Sequence, residues 1–259
     1  MTHPFYKYQG TGNDFVIIDN RQHIFDKNNT KLVAHLCDRR FGIGADGLIL
    51  LEDHETADFE MVYYNSDGNQ STMCGNGGRC MVAFAKEIGV IDSKASFMAI
   101  DGLHYAEIDN GIVKLQMQDV TKLENHNSHV FLDTGSPHHV ELTENVSELD
   151  VVREGAMIRY GKPYNEEGSN VNFVEKIDDE TFIVRTYERG VEGETLSCGT
   201  GVTAVGIAMN YIGETEKNMV TLKTKGGELK VVFDKNESSF SNIWLIGPAE
   251  MVFKGEISW

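Results

Sequence analysis

Met73-Cys74-Gly75-Asn76-Gly77-Gly78-Arg79 is the stretch from which the rest of this chain can be read. A cysteine precedes a glycine-rich turn, and an apolar run with helical spacing follows through Met81, Val82, Ala83, Phe84, Ala85 and Ile88. Glycine lets backbone N–H groups approach a ligand without a Cβ in the way. A helix starting here aims its positive end at the sulfur, which favours the thiolate. It also offers first-turn N–H donors to an anion such as a carboxylate. The stretch has a twin. Cys198-Gly199-Thr200-Gly201 opens a second apolar run, Val202 to Met209, and 198 − 74 = 124. Both runs end in Ile-Gly, at Ile88-Gly89 and Ile212-Gly213, with the same offset of 124.

Further landmarks repeat outward from this pair. Thr134-Gly135 echoes Thr11-Gly12, Gly168-Ser169-Asn170 echoes Gly44-Ala45-Asp46, and Gly226 echoes Gly102. Only two copies exist, so this is a duplication and not a solenoid. Strands are expected over 5–9, 15–18, 48–51, 59–64, 96–100, 103–108 and 112–117. A helix capped at Asn29 or Thr30 would bury Leu32, Val33, Leu36 and Cys37. Both cysteine-led runs are apolar nearly all round, the mark of an enclosed helix. The expected fold is α/β in the α+β sense: two similar domains related by a pseudo-twofold axis, each a mostly antiparallel sheet wrapped around a central apolar helix. The expected boundaries are residues 1–118 for the first domain and 119–247 for the second, with the polar stretch 119–127 as a link. A last strand within 248–259 would return to the first domain. The two helix N-termini would then face one another across a cleft.

Composition narrows the function. A net charge of −17 argues against nucleic acid and anionic membrane surfaces. It leaves an acidic substrate open, because local N–H groups and one arginine outweigh a distant field. The segment from Met1 to Phe5 carries no basic-then-apolar export signal, and no apolar run reaches the roughly 20 residues of a membrane helix. Four cysteines without such a signal read as reduced thiols in a cytoplasm. The histidines at 126, 129, 138 and 139 lack a ligand set at zinc spacing, so no metal is expected. No lysine stands in a pyridoxal-phosphate context and no strand leads into a dinucleotide fingerprint, so no cofactor is expected.

Two thiols on opposite walls of one cleft suit a definite chemistry. A thiolate takes a proton from a carbon, and a thiol delivers one to the opposite face. The result is inversion at a stereocentre. Helix N–H donors would hold the α-carboxylate and the negative charge that develops on it. The chain resembles the diaminopimelate epimerase family over its whole length. The resemblance rests on Gly10-Thr11-Gly12-Asn13-Asp14-Phe15, on Asn65 with Asp67-Gly68, on Cys74-Gly75-Asn76-Gly77, on Ser169-Asn170-Val171, on Glu188-Arg189-Gly190, and on Glu194-Thr195 leading to Cys198-Gly199-Thr200-Gly201. It implies that Cys74 and Cys198 are the acid/base pair. It implies that Gly75, Asn76, Gly199 and Thr200 bind the reacting carboxylate through backbone N–H groups. Asn13, Asn65, Asn170, Glu188 and Arg189 would hold the rest of a diamino-dicarboxylate substrate, and His138 and Glu188 would tune the thiols. The implied protein is a cytoplasmic, cofactor-independent homodimer that converts L,L-diaminopimelate to the meso form in lysine and peptidoglycan precursor synthesis. The chain departs from familiar members where Gly47 replaces a glutamine, where Ser136 precedes Pro137-His138, and in one extra residue between Arg189 and Cys198.

Plainer readings stand beside these. Cys37 and Cys80 read as core residues. Glu188 and Arg189 alone would be a solvated ion pair. Asn13 and Asn65 sit in glycine turns for which asparagine is a common choice, and His138 would be a loop histidine. The rival functions are a related two-cysteine racemase, such as a histidine racemase, a proline racemase-like enzyme, or a phenazine-pathway type of isomerase. From other classes come a non-catalytic amino-acid-binding module and a thiol redox protein. Proline racemase-like proteins generally carry histidine where Asn76 stands, the phenazine-type isomerases lack the paired cysteines, and binding alone needs neither thiol.

Overall fold

The computed structural model describes residues 2–259; Met1, part of the segment read above for an export signal, lies outside them. The chain forms two compact units, one running to Leu115 and including Gly247–Trp259, the other spanning Gln116–Ile246. The first contains β1 (Thr2–Gly10), β2 (Asn13–Asp19), α1 (Thr30–Cys37), β3 (Gly47–Glu52), β4 (Phe59–Asn65), α2 (Gly75–Glu87), β5 (Lys94–Ala99), β6 (Gly102–Asp109) and β7 (Ile112–Gln116). The second contains β8 (Leu123–Asn125), β9 (Val130–Asp133), β10 (Pro137–Leu142), α3 (Val151–Tyr160), β11 (Asn170–Lys176), β12 (Thr181–Glu188), β13 (Gly193–Thr195), α4 (Gly199–Tyr211), β14 (Met219–Thr224), β15 (Gly227–Asn236) and β16 (Ser239–Pro248). The final strand, β17 (Glu250–Ser258), pairs antiparallel with β1 in the first unit. The fold is α+β and dominated by sheet.

Each unit runs the same plan. In the first, β2 pairs parallel to β3 across α1, and β4 parallel to β5 across α2; the other neighbours are antiparallel. In the second, β10 pairs parallel to β11 across α3, and β12 parallel to β14 across α4. The registers match residue for residue. Phe15 lies beside Gly47 and Ile49 opposite Tyr63 in one unit; His138 lies beside Asn170 and Asn172 opposite Thr186 in the other, at a constant offset of 123. The structure corrects two landmarks: Asn170 matches Gly47 in register and not Asp46, and the left-handed glycine that starts β15 as Gly102 starts β6 (φ +123°) is Gly227 (φ +142°), not Gly226.

The apolar runs follow from burial on two faces. Val16, Ile18, Leu48 and Leu50 pack toward α1 with Val33 and Leu36. Phe15 and Ile49 point the other way, onto Gly77 of α2. A strand covered on both faces needs no polar alternation, so Phe15-Val16-Ile17-Ile18 and Leu48 to Leu51 read as unbroken apolar segments. Helices α2 and α4 are each surrounded by strands of their own unit and are buried along nearly their whole length. Helix α3 lies outside the elements expected from the sequence. The polar stretch 119–127, read as a link, carries β8 and a bridge from Val120 to Phe240, which tie it into the second unit. No helix among the described residues is long and apolar enough to cross a membrane.

Candidate active site

Cys74 and Cys198 occupy equivalent positions, each the N-cap residue of its enclosed helix, with extended backbone (φ −101° and −121°). Neither sulfur caps its helix through a side-chain hydrogen bond. Each carbonyl instead accepts the bond that starts the helix, from Gly78 at 2.7 Å and from Val202 at 2.9 Å. The N–H groups of Gly75 and Asn76, and of Gly199 and Thr200, belong to the first turns, whose donors point out of the helix end. All four cysteines are free thiols. Burial pushes the Cys37 and Cys80 thiols up to about 12, which makes both inert core residues.

Around Cys74 the first unit gathers Asn13 and Asn76. The Cys74 thiol donates to Asn13 Oδ1 at 3.6 Å, and Asn76 Nδ2 donates to the same oxygen at 3.3 Å. Asn13 Nδ2 donates to Asp46 at 2.7 Å, which fixes the amide with its oxygen toward the sulfur. Asp46 in turn joins Arg39, and Arg39 grips Asp14 through both terminal nitrogens. Asn65 ends β4 in an exposed turn, its N–H bonded to the Asn69 carbonyl at 3.0 Å. Among the described residues no hydrogen bond joins it to the Asn13 cluster.

Around Cys198 the second unit gathers Thr200, His138 and Asn172. Thr200 Oγ1 is 3.5 Å from the Cys198 sulfur and 3.0 Å from His138 Nε2. His138 Nδ1 is 3.0 Å from Asn172 Nδ2. Burial, and then the charge of Arg189, pull His138 down to about 3, so the ring is neutral at neutral pH. Asn170 Oδ1 accepts the backbone N–H of Arg189 at 2.8 Å, and the Arg189 guanidinium donates to the Glu167 carbonyl at 2.9 Å. Glu188 closes β12, its carbonyl accepting from Glu192 N–H at 2.8 Å. Glu194 is held structurally: Arg185 grips it with two bonds, and Lys225 adds a third.

Two features escaped the sequence reading. The first is Arg79, whose side chain is wholly buried on α2. It donates to Thr11 Oγ1 at 3.2 Å and to the carbonyls of Gly75 and Pro248 at 3.4 Å, and no ion pair among the described residues involves it. A guanidinium this deep is a fixed positive charge two turns or less from Cys74. The signal was present, because a lone charge interrupts the apolar run after Gly78. The second is the pair Asn172 and Thr186, both buried, with Thr186 Oγ1 donating to Asn172 Oδ1 at 3.0 Å. Their meeting depends on strand register, which no local pattern reveals.

The family model described as "Diaminopimelate epimerase" matches residues 5–125 and 130–252. A diaminopimelate epimerase of Flavobacterium psychrophilum is 60% identical over 253 residues, covering 97% of this chain and 99% of that one. One from Chlorobaculum tepidum is 44% identical, covering 96% and 99%. Among solved structures, a phenazine biosynthesis protein of Bacillus anthracis superposes with a TM-score of 0.81 over the full length of both chains at 13% identity, a likeness of fold alone.

Proposed function

From the premise that this chain belongs to the diaminopimelate epimerase family, we infer that it is an isomerase that epimerises L,L-diaminopimelate to meso-diaminopimelate in lysine biosynthesis. The observation that carries the mechanism is the repeated placement of a free cysteine at the N-terminus of an enclosed helix. One sulfur, as thiolate, removes the Cα proton. The other, as thiol, donates a proton to the opposite face. The reaction returns the pair with its protonation exchanged, and the reverse direction uses the same two groups in swapped roles.

The reacting carboxylate lies on the N–H groups of Gly75, Asn76, Gly199 and Thr200, where the helix dipoles favour the charge that accumulates as the carbon loses its proton. Asn13, Asn65, Asn170, Glu188 and Arg189 hold the remaining amine and carboxylate groups. His138 and Glu188 tune the thiols. The site needs no cofactor in this reading, because the sulfurs supply both proton-transfer groups. The proposed domains, 1–118 with 248–259 and 119–247, each supply one cysteine with its neighbouring residues. The enzyme works in the cytoplasm as a homodimer, for which the exposed Met251, Val252 and Phe253 of β17 offer apolar surface.

Incubating the reduced protein with diaminopimelate in heavy water tests the reading. Solvent deuterium should enter Cα, and Cys74→Ala or Cys198→Ala should abolish epimerisation. Exchange into histidine or proline in place of diaminopimelate would overturn the substrate assignment. Sedimentation at a single protomer mass would remove the homodimer.

A further inference from the structure

The inner face of the second unit carries a buried polar chain that its twin does without. At the matched positions His138, Asn172 and Thr186 the first unit has Phe15, Ile49 and Tyr63. The glycines they lie against also correspond. A Cβ on Gly77 would meet Ile49 Cδ1 at 3.2 Å and Phe15 at 3.5 Å, whereas a Cβ on Gly201 would meet Asn172 Oδ1 at 2.6 Å. The same fold therefore closes around its central helix with a phenylalanine, an isoleucine and a half-buried tyrosine in one copy. Nothing in the architecture demands a buried asparagine and histidine in the other, and burying such groups is costly unless each is bonded.

The bonds run in one direction. Asn172 Nδ2 lies 3.2 Å from the His139 carbonyl, which only accepts, so this end of the amide is the donor. Thr186 Oγ1 satisfies the oxygen at the other end. The amide nitrogen thus also donates to His138 Nδ1, which must be unprotonated. A neutral ring then carries its hydrogen on Nε2, 3.0 Å from Thr200 Oγ1. That oxygen then accepts from the ring, which leaves its own hydrogen available to the Cys198 sulfur 3.5 Å away.

We propose that Asn172 is a positioning residue that fixes the His138 tautomer so that the Thr200 hydroxyl donates to Cys198 and favours its thiolate. This rests on the two-thiol reading above and adds to it a role for the Asn172 and Thr200 side chains. The asymmetry between the two units has a chemical sense. Cys74 meets an acceptor, Asn13 Oδ1, which suits a thiol, while Cys198 meets a donor, which suits a thiolate. A pair that begins with one proton between two sulfurs needs a bias of this kind.

The direct test is ¹⁵N NMR of His138 in the wild-type protein at neutral pH. The expected result is a protonated Nε2 and a bare Nδ1; a proton on Nδ1 overturns the proposal. The second test follows alkylation of Cys198 against pH, read by mass spectrometry of its peptide, in wild type, Asn172→Asp and Asn172→Ile. The isoleucine copies what the first unit carries at that place. The midpoint is expected to rise by about one pH unit or more in both variants, with Cys74 reacting as before and cooperative unfolding retained. An unchanged midpoint in both variants overturns the proposal. Neither readout needs turnover. A protein that fails to exchange diaminopimelate yet shows the Nε2 tautomer would sink the functional reading and leave this inference standing.

Discussion

At Gly201 an added methyl group would stand 2.6 Å from Asn172 Oδ1 and 3.3 Å from the Cys198 sulfur. Both neighbours are buried and held by hydrogen bonds, so neither yields cheaply. Gly201→Ala is expected to cost about 1–3 kcal/mol of stability, as overpacking does, and to lower turnover by disturbing the sulfur and its hydroxyl partner together. Urea unfolding and steady-state kinetics measure the two effects, and a variant as stable and active as the wild type would show that the site relaxes freely. This scale also shows what the sequence disclosed. A cysteine before glycines and an apolar helix is a local pattern, so Cys74 and Cys198 could be found by reading. Asn172 and Thr186 meet only because β11 and β12 pair in one register, and the role of Arg79 depends on how deeply α2 is enclosed. Gly47 is a further case. The sequence marks it as a departure, and the structure explains its size, since a Cβ there would stand 2.5 Å from the Tyr63 ring.

At the scale of elements, the loop between α1 and β3 is pinned by charge. Lys7 of β1 bonds the Gly44 carbonyl and pairs with Asp14 of β2 at 2.7 Å; Arg39 joins Asp14 to Asp46. Burial raises the Asp14 carboxyl, but the hydrogen bonds from Arg39 and Lys7 outweigh it and hold the group at about 2. A carboxylate depressed by folding contributes stability that is present above its unfolded value near 3.9 and lost as pH falls toward 2. Asp14→Asn should therefore remove stability on the order of 2 kcal/mol at neutral pH and little at pH 2. It should also speed amide exchange at Gly44 and Ala45. Equal stability of variant and wild type at neutral pH would show that the network is not a net support. Legibility at this scale follows burial. Helix α1 was read because Asn29 caps it and Val33, Leu36 and Cys37 form one buried stripe. Helix α3 is illegible because Val152, Met157 and Tyr160 are exposed while Arg159 is buried, which scrambles the apolar period.

For the whole molecule, two histidines set the response to mild acid. Burial and the charge of Arg189 hold His138 at about 3. Burial and the neighbouring His139 and His126 hold His129 at about 4, in a stack with centroids 3.9 Å from His139 and 4.6 Å from His126. In the unfolded chain both titrate near 6.5. Above that pH neither state binds the protons. Below it the unfolded chain takes up protons that the native protein refuses, so stability falls as pH drops from about 6.5 toward 4. The limiting slope is about 1.4 kcal/mol per pH unit for each histidine. Urea unfolding at pH 7, 6 and 5 should show this loss, and His129→Gln should remove about half of it. A flat profile over that range would mean that the rings protonate in place.

The pairing of β1 with β17 has a consequence for the order in which the protein is made. Residues 116–246 leave the ribosome as a complete set of strands and helices, while the unit begun earlier still shows the open edge of β1. Its final strand arrives only after the whole second unit has been made, since Thr2 pairs with Ser258. The half that starts first is thus completed after its twin, and until β17 emerges its bare edge is open to mispairing and to the chaperones that guard against it.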